Sequence, residues 1–242
     1  MDQNNQTPKT IAMKNKDHVS IFSMKGKLLQ LVMIIALMLP VSILQSQESS
    51  TRSTAVYPTF GFGIGFFYPS DVNDYIQYEI DDLGYTDQYN TSLYMYLEIK
   101  GGLTFRMKKM DISGSLEYCI APKWVVVTGG GSNLTYSYTR LSPVITANYY
   151  IPLKSGRHAF FLGGGVHYNI MKFKKFSASS PGFKLQAGFS LQMGKFNLQP
   201  YVAFNYVKAT DSSDQVWGDF DMDYTGGQIG IMLSFHPRIN YK

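Results

Sequence analysis

The sequence predicts an all-β chain: a closed, eight-stranded, antiparallel, up-and-down transmembrane β-barrel preceded by a signal-peptide helix. Three observations carry this reading. Apolar and polar residues alternate with period two in eight successive runs after Val56. The runs are about nine to twelve residues long, the length a tilted strand needs to cross a bilayer. Long and short connections take turns between them, as in membrane barrels with long outer loops and short periplasmic turns.

Composition agrees. Charged residues make up 16% of the 242 residues, below the roughly 25% usual for soluble proteins. Aromatic residues reach 15%, with 18 Tyr and 16 Phe against 2 Trp. The formal charge is +5, but the first 47 residues carry five Lys and two acids, so the remainder is close to neutral. Such a balance argues against nucleic acid as a partner. Cys119 is the single cysteine, which excludes an internal disulfide.

The chain divides into five segments. Residues 1–23 form a polar extension, and Met13 and Met24 are alternative starts. Residues 24–47 read as a signal peptide: Lys25 and Lys27 precede an apolar run from Leu28 to Leu39 that Pro40 ends. That run is short for a membrane-spanning helix, which needs roughly 20 residues. A short linker, 48–55, leads to the barrel at 56–236, and residues 237–242 form a tail.

The first strand sets Phe60, Phe62, Ile64 and Phe66 against Gly61, Gly63 and Gly65. The second sets Leu93, Met95, Leu97, Ile99, Leu103 and Phe105 against Tyr94, Tyr96, Glu98, Lys100, Thr104 and Arg106. The third alternates Ile112, Leu116, Tyr118 and Ile120 with Asp111, Ser113, Ser115, Glu117 and Cys119. In the fourth, from Leu134 to Leu153, Tyr136 and Tyr138 share one parity while Leu141, Ile145, Tyr149 and Ile151 share the other. A bulge between Arg140 and Pro143 would place all of them on one face. The fifth opposes Phe160, Leu162, Val166, Tyr168 and Ile170 to Phe161, Gly163, Gly165, His167 and Asn169. The sixth opposes Phe183, Leu185, Ala187, Phe189 and Leu191 to Lys184, Gln186, Gly188 and Ser190. The seventh and eighth continue through Val202 and Phe204, and through Ile229, Ile231 and Leu233.

Four long connections are expected: Pro69–Ser92, Lys123–Asn133, Lys174–Gly182 and Ala209–Gly226. Within the first, Asp71 to Leu83 reads as a helix with Val72, Tyr75, Ile76 and Ile80 on one face and Ser70 as N-cap. An even strand count leaves both termini at the periplasmic end.

Glu98, Lys100, Arg106, Asp111, Glu117, His167 and Lys184 fall on the polar faces and form the expected interior network, where charges must pair. A register with Arg106 opposite Asp111 puts Lys100 opposite Glu117, two favourable pairs. The neighbouring register would oppose Glu98 to Glu117.

The strand Phe60–Phe67 and the closing run Gly226–Phe235, alternating and ending in an aromatic, resemble the outer-membrane barrel family that includes the OmpA and OmpX transmembrane domains and PorT-like barrels. In this chain seven residues follow that aromatic. The resemblance implies an outer-membrane location in a Gram-negative envelope, contact with outer-membrane lipid and lipopolysaccharide, and handling by barrel-insertion machinery. It implies no shared activity.

No catalytic or cofactor set emerges. His167 is followed by Asn169 rather than the Ser of an H-x-S pattern. Asp219, Asp221 and Asp223 have the alternate spacing of calcium loops but lack the turn Gly and closing Glu. A solvated acidic loop explains them as well. The expected role is non-enzymatic, structural or surface-interacting, through acidic outer loops. The alternatives are a narrow conduit for small hydrophobic compounds (OmpW-like), a lipid-modifying enzyme, and a secretion or assembly accessory.

Overall fold

The computed structural model describes residues 54–83, 92–126, 133–154, 157–214 and 218–235. The expected signal peptide, the N-terminal extension and the C-terminal tail lie outside these residues. Alternating residues leave one face apolar and one polar, and such a sheet is satisfied when it closes on itself. Eight antiparallel strands do so: β1 (Thr54–Phe67), β2 (Met95–Met107), β3 (Met110–Val126), β4 (Asn133–Pro152), β5 (His158–Phe173), β6 (Phe176–Met193), β7 (Phe196–Tyr206) and β10 (Gly226–Phe235). Every neighbour pairs in chain order, and β10 closes against β1 through Phe62↔Ile231. The eight-stranded up-and-down architecture is as the alternation predicts.

The β2–β3 register is also as expected, with Arg106 opposite Asp111 and Lys100 opposite Glu117. The outward rows are exposed, including Phe62 at 58%, Ile99 at 67% and Leu185 at 57%. The inward row of β1 is made of glycines because the lumen is narrow. A Cβ on Gly65 would overlap the Tyr96 ring, and one on Gly230 would lie 2.5 Å from the Tyr201 hydroxyl.

Several expectations are corrected. No bulge interrupts β4. Its register against β3 runs unbroken from Asn133 to Tyr149, and its register against β5 is the same on both sides of Ser142 and Pro143. Tyr136 and Tyr138 therefore point inward with Arg140 and Ser142, while Leu141 and Ile145 point outward. The lumen end near the loops is apolar, so inward tyrosines need no change of parity.

The supposed loop Lys174–Gly182 is a two-residue turn, Lys174–Lys175, between strands that run on past the apolar belt. Lys174 takes the left-handed conformation there, with φ 52°. Strands β3, β4, β5 and β6 are 16 to 20 residues long, longer than expected. The Lys123–Asn133 connection shrinks accordingly.

The Ala209–Gly226 segment is a hairpin, β8 (Lys208–Asp214) with β9 (Gly218–Asp223), in a separate two-stranded sheet. The helix α1 (Ser70–Asp82) is present with Val72, Tyr75, Ile76 and Ile80 buried, but Pro69 is its N-cap and Ser70 is its first residue. Leu93 is buried and Tyr94 exposed, the reverse of the expected facing, because both precede β2.

Candidate functional site: a filled lumen under a folded cap

Three layers fill the barrel. Nearest the tight turns, Asp111 is the hub. Arg106 Nη1 lies 3.2 Å from its Oδ2, Asn148 donates to Oδ1 at 2.8 Å, and the Tyr150 hydroxyl donates to Oδ2 at 2.5 Å. The Arg106 guanidinium sits 3.4 Å over the Tyr150 ring. Gln199 and Gln186 extend the net to β7 and β6.

The middle layer is the larger charge cluster. Lys184 donates to Glu117 Oε1 at 2.5 Å and lies 3.9 Å from Glu98. Arg140 Nη2 stands between the two carboxylates, 3.6 Å from Glu98 and 3.8 Å from Glu117, and donates to Cys119 Sγ at 3.1 Å. Glu98 also accepts from Gln228 at 2.5 Å and from the Tyr201 hydroxyl at 3.2 Å. Lys100 is 3.8 Å from Glu98 and 3.9 Å from the centre of the Tyr201 ring. All seven predicted interior residues are buried in the lumen.

The expected pairing is redistributed: Lys184 takes Glu117, leaving Lys100 to Glu98, although Lys100 and Glu117 are cross-strand partners. A lysine from β6 reaches across the narrow lumen, which the register of one hairpin does not reveal. The bulge expected between Arg140 and Pro143 hides the parity of Arg140, which the unbroken β4 register turns inward. Tyr201 and Gln228 were legible as inward positions but not as partners of Glu98.

His167 is 5% exposed, and its Nδ1 is 2.8 Å from Asn169 Oδ1. Ser142 donates to the same oxygen at 2.8 Å. The serine and the histidine thus meet on an asparagine rather than on each other, which is not the geometry of a nucleophile and its base.

Above the charges, the lumen becomes apolar. Tyr96, Tyr138, Phe173, Phe176, Val207, Phe220, Met222 and Tyr224 form one buried cluster with α1 packed on it. Phe176 and Phe220 stack at 3.8 Å, and Phe67 stacks on Tyr224 at 4.7 Å. Asp71 of α1 accepts the Asp221 amide at 2.8 Å, and Glu79 pairs with Lys174 at 3.2 Å. Asp211 accepts the Ser177 amide at 2.7 Å, occupying the edge of β6.

The three acids Asp219, Asp221 and Asp223 lie on the strand β9, so their spacing is that of one strand face. Ser212 donates to Asp219, Thr210 and Lys208 to Asp221, and the Thr225 amide to Asp223. The hydrogen bond from Lys208 holds the Asp221 carboxyl below the usual range and raises the Lys208 ammonium in turn. Among the described residues no group of three or more His, Cys, Asp or Glu converges as a metal site would.

Fold and site together define a closed antiparallel β-barrel whose lumen is occupied by its own side chains and capped by a helix and a hairpin. The chain is similar to the crystal structure of Neisserial surface protein A, at 10% identity, over 76% of this chain and 99% of that one, with a TM-score of 0.49. No family model and no curated protein matches.

Proposed function

We propose that the chain is an outer-membrane barrel that holds a folded cap at the cell surface, with a non-enzymatic role in contacts there. The carrying observation is the pairing of an apolar outer wall with a filled, charged lumen. Along β6 the wall runs from Phe183 to Met193. Ten residues rise about 33 Å along a strand, or about 25 Å along the axis at a tilt near 40°, the height of a hydrocarbon band. Tyr118, Tyr168 and Tyr206 edge the wall toward the cap, and Phe105, Tyr149, Phe196 and Phe235 edge it toward the turns, all exposed. Such paired aromatic belts suit the two water interfaces. Exposed to water, this wall would be a far larger apolar patch than soluble proteins carry.

With the cap outside, the start of β1 and the end of β10 fall at the periplasmic end. Outer-membrane lipid and lipopolysaccharide surround the wall, and insertion machinery places it there. The filled lumen speaks against a conduit, and the Ser142–Asn169–His167 geometry speaks against hydrolysis.

The test uses three readouts. The membrane-fraction protein should change gel mobility on boiling. Refolded protein in planar bilayers should pass no steady current. A Ser212→Cys variant in intact cells should react with an impermeant maleimide, with native Cys119 buried and silent. Steady conductance, or a cap shielded from the reagent until the outer membrane is opened, would overturn the reading.

A further inference from the structure

The charges in the lumen do not balance. Among the described residues, those buried there are Lys100, Arg106, Arg140 and Lys184 against Glu98, Asp111 and Glu117, one cation in excess. Asp211, the other buried carboxylate, belongs to the cap. An uncompensated charge away from water is strongly unfavourable.

Geometry identifies two underserved cations. Arg106 has Asp111 and Lys184 has Glu117 at hydrogen-bond distance, whereas Arg140 has its carboxylates at 3.6 and 3.8 Å, a thiol at 3.1 Å, and Nε and Nη1 buried without a hydrogen-bond partner. Lys100, 7% exposed, has Glu98 only at 3.8 Å and the face of Tyr201, with no acceptor at hydrogen-bond distance.

Lys100 also lines a cavity of about 20 Å³ between the two charge layers. Thr104, Ser115 and Thr146 line the same space, and the Thr104 hydroxyl is hydrogen-bonded to that of Ser113 at 2.8 Å. The carboxylates at its wall are already engaged: Asp111 accepts from three donors, and Glu117 faces Lys184 and Arg140. A space of this size holds a water-sized occupant.

We infer that this cavity is a buried site for one small monovalent anion, such as chloride, held by the Lys100 ammonium and neighbouring hydroxyls. One negative charge cancels the excess. The ion would be taken up as the barrel closes, so it acts as a structural ligand that binds only the folded state and stabilises it.

The test is refolding in bromide, followed by crystallisation and anomalous diffraction at the bromine edge. A bromide peak within hydrogen-bonding reach of Lys100 Nζ is expected, absent in Lys100→Met. Unfolding temperature of the wild-type protein should rise in chloride or bromide over gluconate at constant ionic strength, and this difference should vanish in Lys100→Met. If that variant fails to fold, the wild-type map and melting curves decide. Water or empty density in the cavity, no halide-specific shift, or bromide at surface lysines alone (an adventitious ion only) overturns the inference.

Discussion

The half of the barrel near the turns and the half near the cap obey opposite rules. Near the turns the wall is apolar outside and charged inside: Leu185 faces outward beside inward Lys184 and Gln186. Farther along the same strand the sense reverses. Ser177 and Ser179 face outward, and Phe176 and Ala178 are buried. The strand has not changed its pleat; its surroundings have. Where the outside is hydrocarbon the polar groups must turn inward and satisfy one another. Where the outside is water the chain builds an ordinary apolar core, with α1 and the β8–β9 hairpin as its second layer. In the proposed setting one cylinder thus holds a membrane segment and a small soluble-type domain without a linker between them.

The largest expected effect separates the halves by global stability. Glu98→Ala strips the middle layer of the carboxylate shared by Lys100, Arg140 and Lys184. Removing one partner of a buried ionic cluster costs about 3–5 kcal/mol. Denaturant titration in lipid vesicles should show it as loss of the whole barrel, and an unchanged midpoint would mean the lumen charges are wet.

Phe220→Ala should cost about 3 kcal/mol, drawn from the cap alone. Hydrogen exchange should accelerate in 70–83 and 208–223 while amides of β2 and β3 below Ile120 keep their protection. Uniform acceleration would show that cap and barrel unfold as one unit.

A matched pair on β6 comes next. Leu185→Lys should destabilise the folded barrel in vesicles by about 2–4 kcal/mol if the position lies near the bilayer midplane. Ser177→Lys should stay within about 0.5 kcal/mol. Equal costs would erase the boundary between the two regions.

The smallest effect is a pH response confined to the hairpin. Asp221 has a lowered carboxyl, so its contribution is complete above the ordinary carboxylate range and is lost as pH falls through the lowered value. The raised Lys208 contributes below the ordinary lysine range and loses its part only at strongly alkaline pH. The Asp221 carboxyl followed by NMR should titrate below a free aspartate, and Lys208→Met should return it toward the ordinary range. Exposure of the pair keeps the stability change small.

Alternation alone located the seven lumen residues, since period two assigns every side chain to a face once one is known. The Arg106–Asp111 and Lys100–Glu117 register followed from charge pairing across a short turn. The same rule misled at both ends of the long strands. Tyr136 and Tyr138 read as wall residues if the outside is hydrocarbon along the whole strand, whereas they face the apolar end of the lumen; Phe173 and Phe176 are given no face, since a loop is expected from Lys174. A serine-rich run such as Ser177–Ser180 looks like a loop when only its composition is seen. It becomes a strand when its inward neighbours find a core.

The amino-acid sequence by itself determined the all-β class, the strand number, the inward and outward rows and the helix after β1, because these depend on local periodicity and neighbouring turns. The tertiary structure alone decided that Lys184 rather than Lys100 pairs with Glu117, that Arg140 joins them, and that the last long connection folds down as a hairpin onto the aromatic cluster. Those outcomes depend on which side chains meet across the filled lumen. Closure brings together residues as far apart in the chain as Glu98 and Gln228, and no local pattern records that distance.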